Sequence, residues 1–143
     1  MKPKVLIVDD DPLTHMLYGR HLVGAGYELL MARDGVEALA IASREPPQLI
    51  MMDVMMGGMD GLSALRELKK AEPTRNIPVI VVTGDLTSHY ATKKEAENSG
   101  AAGFLTKPFS PAQLLAQVMK LVPIEPDKPT EPSKQNDNER RRY

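Results

Sequence analysis

Five short apolar runs, each followed by a capped, helix-patterned stretch, constrain this chain more than any other feature. The runs are Val5–Val8, Tyr27–Ala32, Gln48–Met52, Val79–Val82 and Ala102–Leu105. They are brief and bounded by turn residues, which marks buried strands rather than buried helices. Helix starts follow them. Asp11-Pro12 is an N-cap with proline at the first helical position, Asp34-Gly35-Val36-Glu37 is a capping-box pattern, and Asp60 precedes Gly61. Thr87 or Ser88 opens a fourth helix, and Ser110-Pro111-Ala112-Gln113 a fifth. Gly24 and Gly26, Pro46-Pro47, Glu72-Pro73 and Gly100 close the first four. Strand–helix alternation of this kind predicts an α/β fold: a doubly wound, five-stranded parallel sheet with right-handed crossovers. One common order is 2-1-3-4-5, with its switch point between strands one and three.

The apolar residues of the first helix, Leu13, Met16, Leu17 and Val23, recur near helical spacing and mark its core side. His15 and His21 lie in the same helix and receive no role. Leu62, Leu65 and Leu68 do the same for the third helix, and Leu114, Leu115, Val118, Leu121 and Val122 for the fifth. The foldable domain is expected over 1–122. From Pro123 the composition changes: Pro123, Pro126, Pro129 and Pro132 recur every third residue, with five acids balanced by five bases. Such a segment buries too little surface to fold alone, so 123–143 reads as a disordered or polyproline-type tail or linker.

A net charge of -1 gives no nucleic-acid footprint, and the lack of cysteine excludes disulfides, thiol catalysis and thiolate metal sites. The apolar run after Met1-Lys2-Pro3-Lys4 is too short for a signal peptide or a membrane span, so a soluble, cytoplasmic protein is expected.

The residues just past the strands are not placed at random. Strand one ends in Asp9 and Asp10, strand three in Asp53, strand four in Thr83, and strand five leads to Lys107. Ligands bind open α/β sheets at these carboxyl ends. Asp11 and Asp60 are accounted for as helix caps; Asp9, Asp10 and Asp53 are not. Three carboxylates in one crevice repel each other, and a hard divalent cation such as Mg²⁺ relieves this with oxygen ligands. No histidine or cysteine adjoins the cluster, which argues against zinc or copper. A metal ion, the Lys107 ammonium and the Thr83 hydroxyl around Asp53 form a site for a phosphoryl group, with Asp53 as nucleophile. The plainer alternative is a strand-end ion pair of Lys107 with one Asp.

This constellation resembles the receiver (CheY-like) domain of bacterial two-component response regulators. The resemblance rests on Val8-Asp9-Asp10, Leu49 to Asp53, Met56 to Gly61, Val82-Thr83-Gly84 and Lys107-Pro108-Phe109, in order and at the strand ends. It implies a (βα)5 flavodoxin-like fold and a phosphoprotein rather than a turnover enzyme. Asp53 would accept a phosphoryl group from a sensor histidine kinase or phosphotransfer protein. Asp10, Asp53 and the Met55 carbonyl would ligate Mg²⁺, with Asp9 acting largely through water. Lys107 would contact the phosphoryl oxygens and Thr83 would swing towards them, while Phe104 occupies the aromatic switch position. The surface of the fourth helix, fifth strand and fifth helix would serve as output towards a partner, an effector domain or a phosphorylation-dependent homodimer.

The chain departs from the family pattern at several positions. Gly57 stands where the family usually has proline, Phe104 lacks a phenolic hydroxyl, and the segment from Thr83 to Lys107 is slightly long. Met55 and Asp85 hold the positions that tune dephosphorylation; apolar Met55 implies a long-lived phosphoryl-Asp. An aspartyl-nucleophile phosphohydrolase would carry a second Asp at position 55. A nucleotide- or flavin-binding module would carry a Gly-rich loop where Asp9-Asp10-Asp11-Pro12 stands. A non-phosphorylated pseudo-receiver acting as an interaction scaffold is the remaining alternative.

Overall fold

The computed structural model describes residues 2–54, 60–84 and 89–124, side chains of 89–92 apart. Met55, Gly57, Asp85, the fourth-helix caps and the tail from residue 125 lie outside the described residues. Five strands, β1 (Lys4–Val8), β2 (Glu28–Ala32), β3 (Leu49–Asp53), β4 (Val79–Thr83) and β5 (Gly103–Thr106), alternate with five helices. These are α1 (Pro12–Gly24), α2 (Gly35–Arg44), α3 (Gly61–Lys70), α4 (His89–Asn98) and α5 (Pro111–Leu121). The strands are all parallel, in the order β2-β1-β3-β4-β5 that the alternation predicts.

Alternation along the strands divides the core into two layers. Leu6, Val8, Ile50, Met52, Val79 and Val81 face one side with residues of α2, α3 and α4. Val5, Ile7, Leu49, Met51, Ile80 and Val82 face the other with α1 and α5. The helices begin as their caps dictate. Asp11, Asp34 and Asp60 accept backbone N–H groups from Leu13, Glu37 and Ser63, and Ser110 and Gln113 form a reciprocal box. β3 and β4 each run one residue further than the apolar runs indicate, so Asp53 and Thr83 are the last residues of their strands.

One expectation fails. Leu13, Met16, Leu17 and Val23 do not form the core side of α1; they are 64%, 57%, 51% and 49% exposed. The buried face is Thr14, His15, Tyr18, Gly19 and Leu22. Both sets have helical spacing, so periodicity alone does not choose between them. The sheet chooses. Gly19 lets the helix lie close against β2, where a Cβ would stand 2.6 Å from Leu29 Cδ2. Beside it Tyr18 stacks on Phe109 with ring centroids 4.6 Å apart.

Candidate functional site

Parallel strands of similar length bring their carboxyl ends to one edge of the sheet. Asp53 pairs in register with Val82, and Thr83 with Thr106. Asp9 leaves β1 with its N–H on the Ala32 carbonyl, 3.1 Å away. Lys107, beyond β5, donates its N–H to the Thr83 carbonyl at 2.7 Å, and its peptide bond to Pro108 is cis. From there its ammonium reaches inward to Asp9 Oδ2 at 3.1 Å and Asp53 Oδ2 at 3.0 Å. Both carboxyl groups are buried, and the Lys107 side chain is 29% exposed, so the cluster opens to solvent on the lysine side.

Electrostatics follow from that burial. Desolvation alone would push the Asp9 carboxyl up. The Asp11 N–H on Oδ1 and the Lys107 ammonium outweigh it and hold Asp9 below its ordinary value. Burial likewise opposes the charge on Lys107, and the Asp53 and Asp9 carboxyls outweigh it and raise Lys107 above its ordinary value. Lys107 and Asp9 are thus charged across the neutral range.

The other expected residues stand around this triad. Asp10 is exposed beside Asp9. Thr83 is fully buried at the end of β4. Phe104 is half-buried and packs on the α2–α3–α4 layer, with its carbonyl accepting from Gln117 Nε2 at 2.9 Å. Val81 is its register partner, so Phe104 and Thr83 lie on the same face of the sheet. Met55 lies outside the described residues.

Among the described residues no three His, Cys, Asp or Glu side chains converge as a ready-made metal centre. The donors present are nonetheless those of a hard cation. Two buried carboxylates face a single positive charge, supplied by Lys107, with a third carboxylate exposed next to them. Gly61, the first residue of α3, presses on the same place. A Cβ there would collide with the Asp53 carbonyl oxygen and lie 2.9 Å from its carbonyl carbon.

Two contacts at the site were not expected from the sequence. His15 is buried, and its Nε2 lies 2.7 Å from the Asp9 carbonyl oxygen. Phe109, two residues past Lys107, is held by its stack on Tyr18. The available signal was the stripe His15, Tyr18, Gly19, Leu22, which has helical spacing and carries a glycine, but the more apolar stripe beside it masked it.

The sequence model of the response regulator receiver domain matches residues 5–119. The chain belongs to the response regulator receiver family. This receiver domain is 38% identical to the DNA-binding dual master transcriptional regulator RpaA of Synechocystis over 84% of its own sequence. It spans about half of that protein's length, 49%. Its fold matches the chemotaxis protein CheY4 of Vibrio cholerae with a TM-score of 0.78 and 32% identity, covering 85% of this chain and 100% of that one. The receiver domain of the Pseudomonas aeruginosa sensor histidine kinase PA1611 matches with a TM-score of 0.76 and 27% identity, over 85% and 98% of the two chains. That neighbour has a magnesium ion coordinated in its active-site cleft. Among the described residues no helix of this receiver domain is long and apolar enough to cross a membrane.

Proposed function

We propose that Asp53 is the phospho-acceptor of this receiver domain. The observation that carries the reading is the Lys107 ammonium held by Asp9 and Asp53 at the carboxyl ends of the strands. Packing alone gives no reason to bury two carboxylates side by side. In the reaction an Asp53 oxygen bonds the phosphorus of a phosphohistidine on a sensor kinase or phosphotransfer protein. The phosphorus–nitrogen bond breaks, and the imidazole leaves with the electron pair. Asp9, Asp10, Asp53 and the Met55 carbonyl would hold Mg²⁺, which when bound offsets the negative charge of the incoming phosphoryl group. The protein contributes position and charge, as phosphoryl transfer generally requires. It consumes no substrate in a turnover cycle of its own and is a signalling phosphoprotein, with a cytoplasmic location.

Lys107 then exchanges a carboxylate oxygen for a phosphoryl oxygen, and the Thr83 hydroxyl turns towards the same group. Charge-assisted hydrogen bonds contribute ~1.5–3 kcal/mol each. Only the Thr83 contact is gained outright, since Lys107 gives up one such bond as it makes another, so these two residues supply ~1.5–3 kcal/mol of the roughly 5.5 kcal/mol that a 1:99 to 99:1 shift between two surface states requires. Thr83 and Phe104 share a sheet face, so a moving threonine changes the packing of the half-buried ring. The α4–β5–α5 surface is therefore the output face, read by a partner, an effector domain or a second copy of the chain. The near-neutral net charge favours protein partners over nucleic acid.

Intact-mass measurement after incubation with acetyl phosphate tests the acceptor. A single phosphoryl adduct that needs Mg²⁺ and is absent from Asp53→Asn is the expected result. No adduct on a folded wild-type protein would overturn the reading in favour of the scaffold.

A further inference from the structure

His15 is buried to 8% of its free exposure on the sheet-facing side of α1, and its Nε2 is hydrogen-bonded to the Asp9 carbonyl at 2.7 Å. A carbonyl oxygen only accepts, so Nε2 carries a proton, and in the neutral ring Nδ1 is then an acceptor. Nδ1 is itself buried and has no hydrogen-bond partner among the described residues. An unpaired buried acceptor costs stability, and a leucine would fill this place without that cost. The imidazole therefore weakens the fold in one respect and supplies one thing that leucine lacks, a donor for the Asp9 carbonyl.

That carbonyl belongs to the peptide joining Asp9 to Asp10. Three bonds fix the turn around it. Asp9 N–H goes to Ala32 O at 3.1 Å, Asp11 N–H goes to Asp9 Oδ1 at 2.9 Å, and His15 takes the carbonyl between them. With the peptide plane pinned, the two acidic side chains are parted. Asp9 turns in to Lys107 and Asp10 stays at the surface. Released, the peptide could rotate, and both carboxylates would move relative to Asp53.

We propose that His15 is a positioning residue for divalent-cation binding, clamping the Asp9–Asp10 peptide so that the acid pair meets Asp53 at a fixed spacing. The inference rests on the reading of the acid cluster as a Mg²⁺ site. Groups that orient metal ligands from outside typically carry about ten-fold or more in affinity. Removing the donor should weaken Mg²⁺ binding by about that factor.

The test compares the full chain with His15→Leu and His15→Gln by calorimetric Mg²⁺ titration, and by thermal unfolding in EDTA. The Leu variant should bind Mg²⁺ about ten-fold more weakly, while its melting temperature without metal should stay close to that of wild type, because the substitution removes one unpaired buried acceptor, Nδ1, and orphans another, the Asp9 carbonyl. The Gln variant, whose amide can donate, should recover most of the affinity. A merely structural histidine would lower the melting temperature and leave the affinity alone. Wild-type affinity in the Leu variant overturns the proposal. A second measurement needs no variant: the imidazole ¹⁵N resonances of wild type, with Nε2 protonated, should shift as Mg²⁺ saturates. Resonances that stay fixed while Mg²⁺ binds also overturn it. A wild type that binds no Mg²⁺ removes the reading of the cluster itself, a failure distinct from these.

Discussion

Gly61 has no room for a side chain, because a Cβ would meet the backbone of Asp53 rather than any flexible group. Gly61→Ala must therefore displace either the start of α3 or the acceptor strand, at a cost of about 1–3 kcal/mol. Acetyl phosphate should label it more slowly than wild type even where both are folded, which intact mass against time would measure. Lys107 has the opposite problem, since removing it takes away the charge that two buried carboxylates face. Lys107→Met should lose about 1–2 kcal/mol at pH 7, a figure discounted for a side chain 29% exposed. Urea unfolding should show millimolar Mg²⁺ restoring part of the loss. The pH dependence of the wild-type pair has a definite sign. Asp9 lies below its ordinary 3.8, so its contribution is complete above that value and is lost as pH falls through the lower folded value. Lys107 lies above its ordinary 10.5, so its contribution is complete below that value and is lost as pH rises through the raised one. The pair should leave stability flat through neutrality, with loss confined to the two extremes.

Among the elements, α1 separates what its sequence displays from what its fold uses. Leu22 is fully buried and Leu17 is 51% exposed, although both are leucines on the same helix. Leu22→Ala should cost about 2–5 kcal/mol, whereas Leu17→Ser should stay within about 0.5 kcal/mol; chemical denaturation of the two variants checks this. On the outward side Met16 and Val23, with Met31 of β2, line an open groove of about 910 Å³ between α1 and β2. Pro12, at the start of α1 and three residues past Asp9, lines the same groove, so its apolar surface begins beside the acid cluster. Capping chemistry made the helix starts legible, because Asp11, Asp34, Asp60 and Ser110 each bond the N–H groups they precede. Strand parity made the two core layers legible in the same way. The facing of α1 was not legible, because both of its sides carry apolar residues at helical spacing. The approach of β2 to Gly19 and the stack of Tyr18 on Phe109, contacts that exist only once the chain is folded, distinguish them. His15 went unassigned for the same reason, since its partner is a backbone carbonyl that no residue type announces.

For the whole molecule, the placement of Asp9, Asp53 and Lys107 was readable because parallel strands of equal hand must finish at one edge. The opposite edge has its own fastening. The Tyr27 hydroxyl, on a buried side chain, donates to the Val122 carbonyl at 2.6 Å, and Ile124 packs on Gly26, where a Cβ would stand 2.9 Å from its Cδ1. Tyr27→Phe should cost about 1 kcal/mol and speed amide exchange in the last turn of α5, with little change in Asp53 labelling. Pro3 sits at this edge as well, accepting the Glu28 N–H at 2.8 Å. The folded body thus takes in its chain and releases it at one pole, while its acids occupy the other. A unit wired in this way can be spliced into a surface loop of an unrelated protein, both joints falling on the side away from the chemistry.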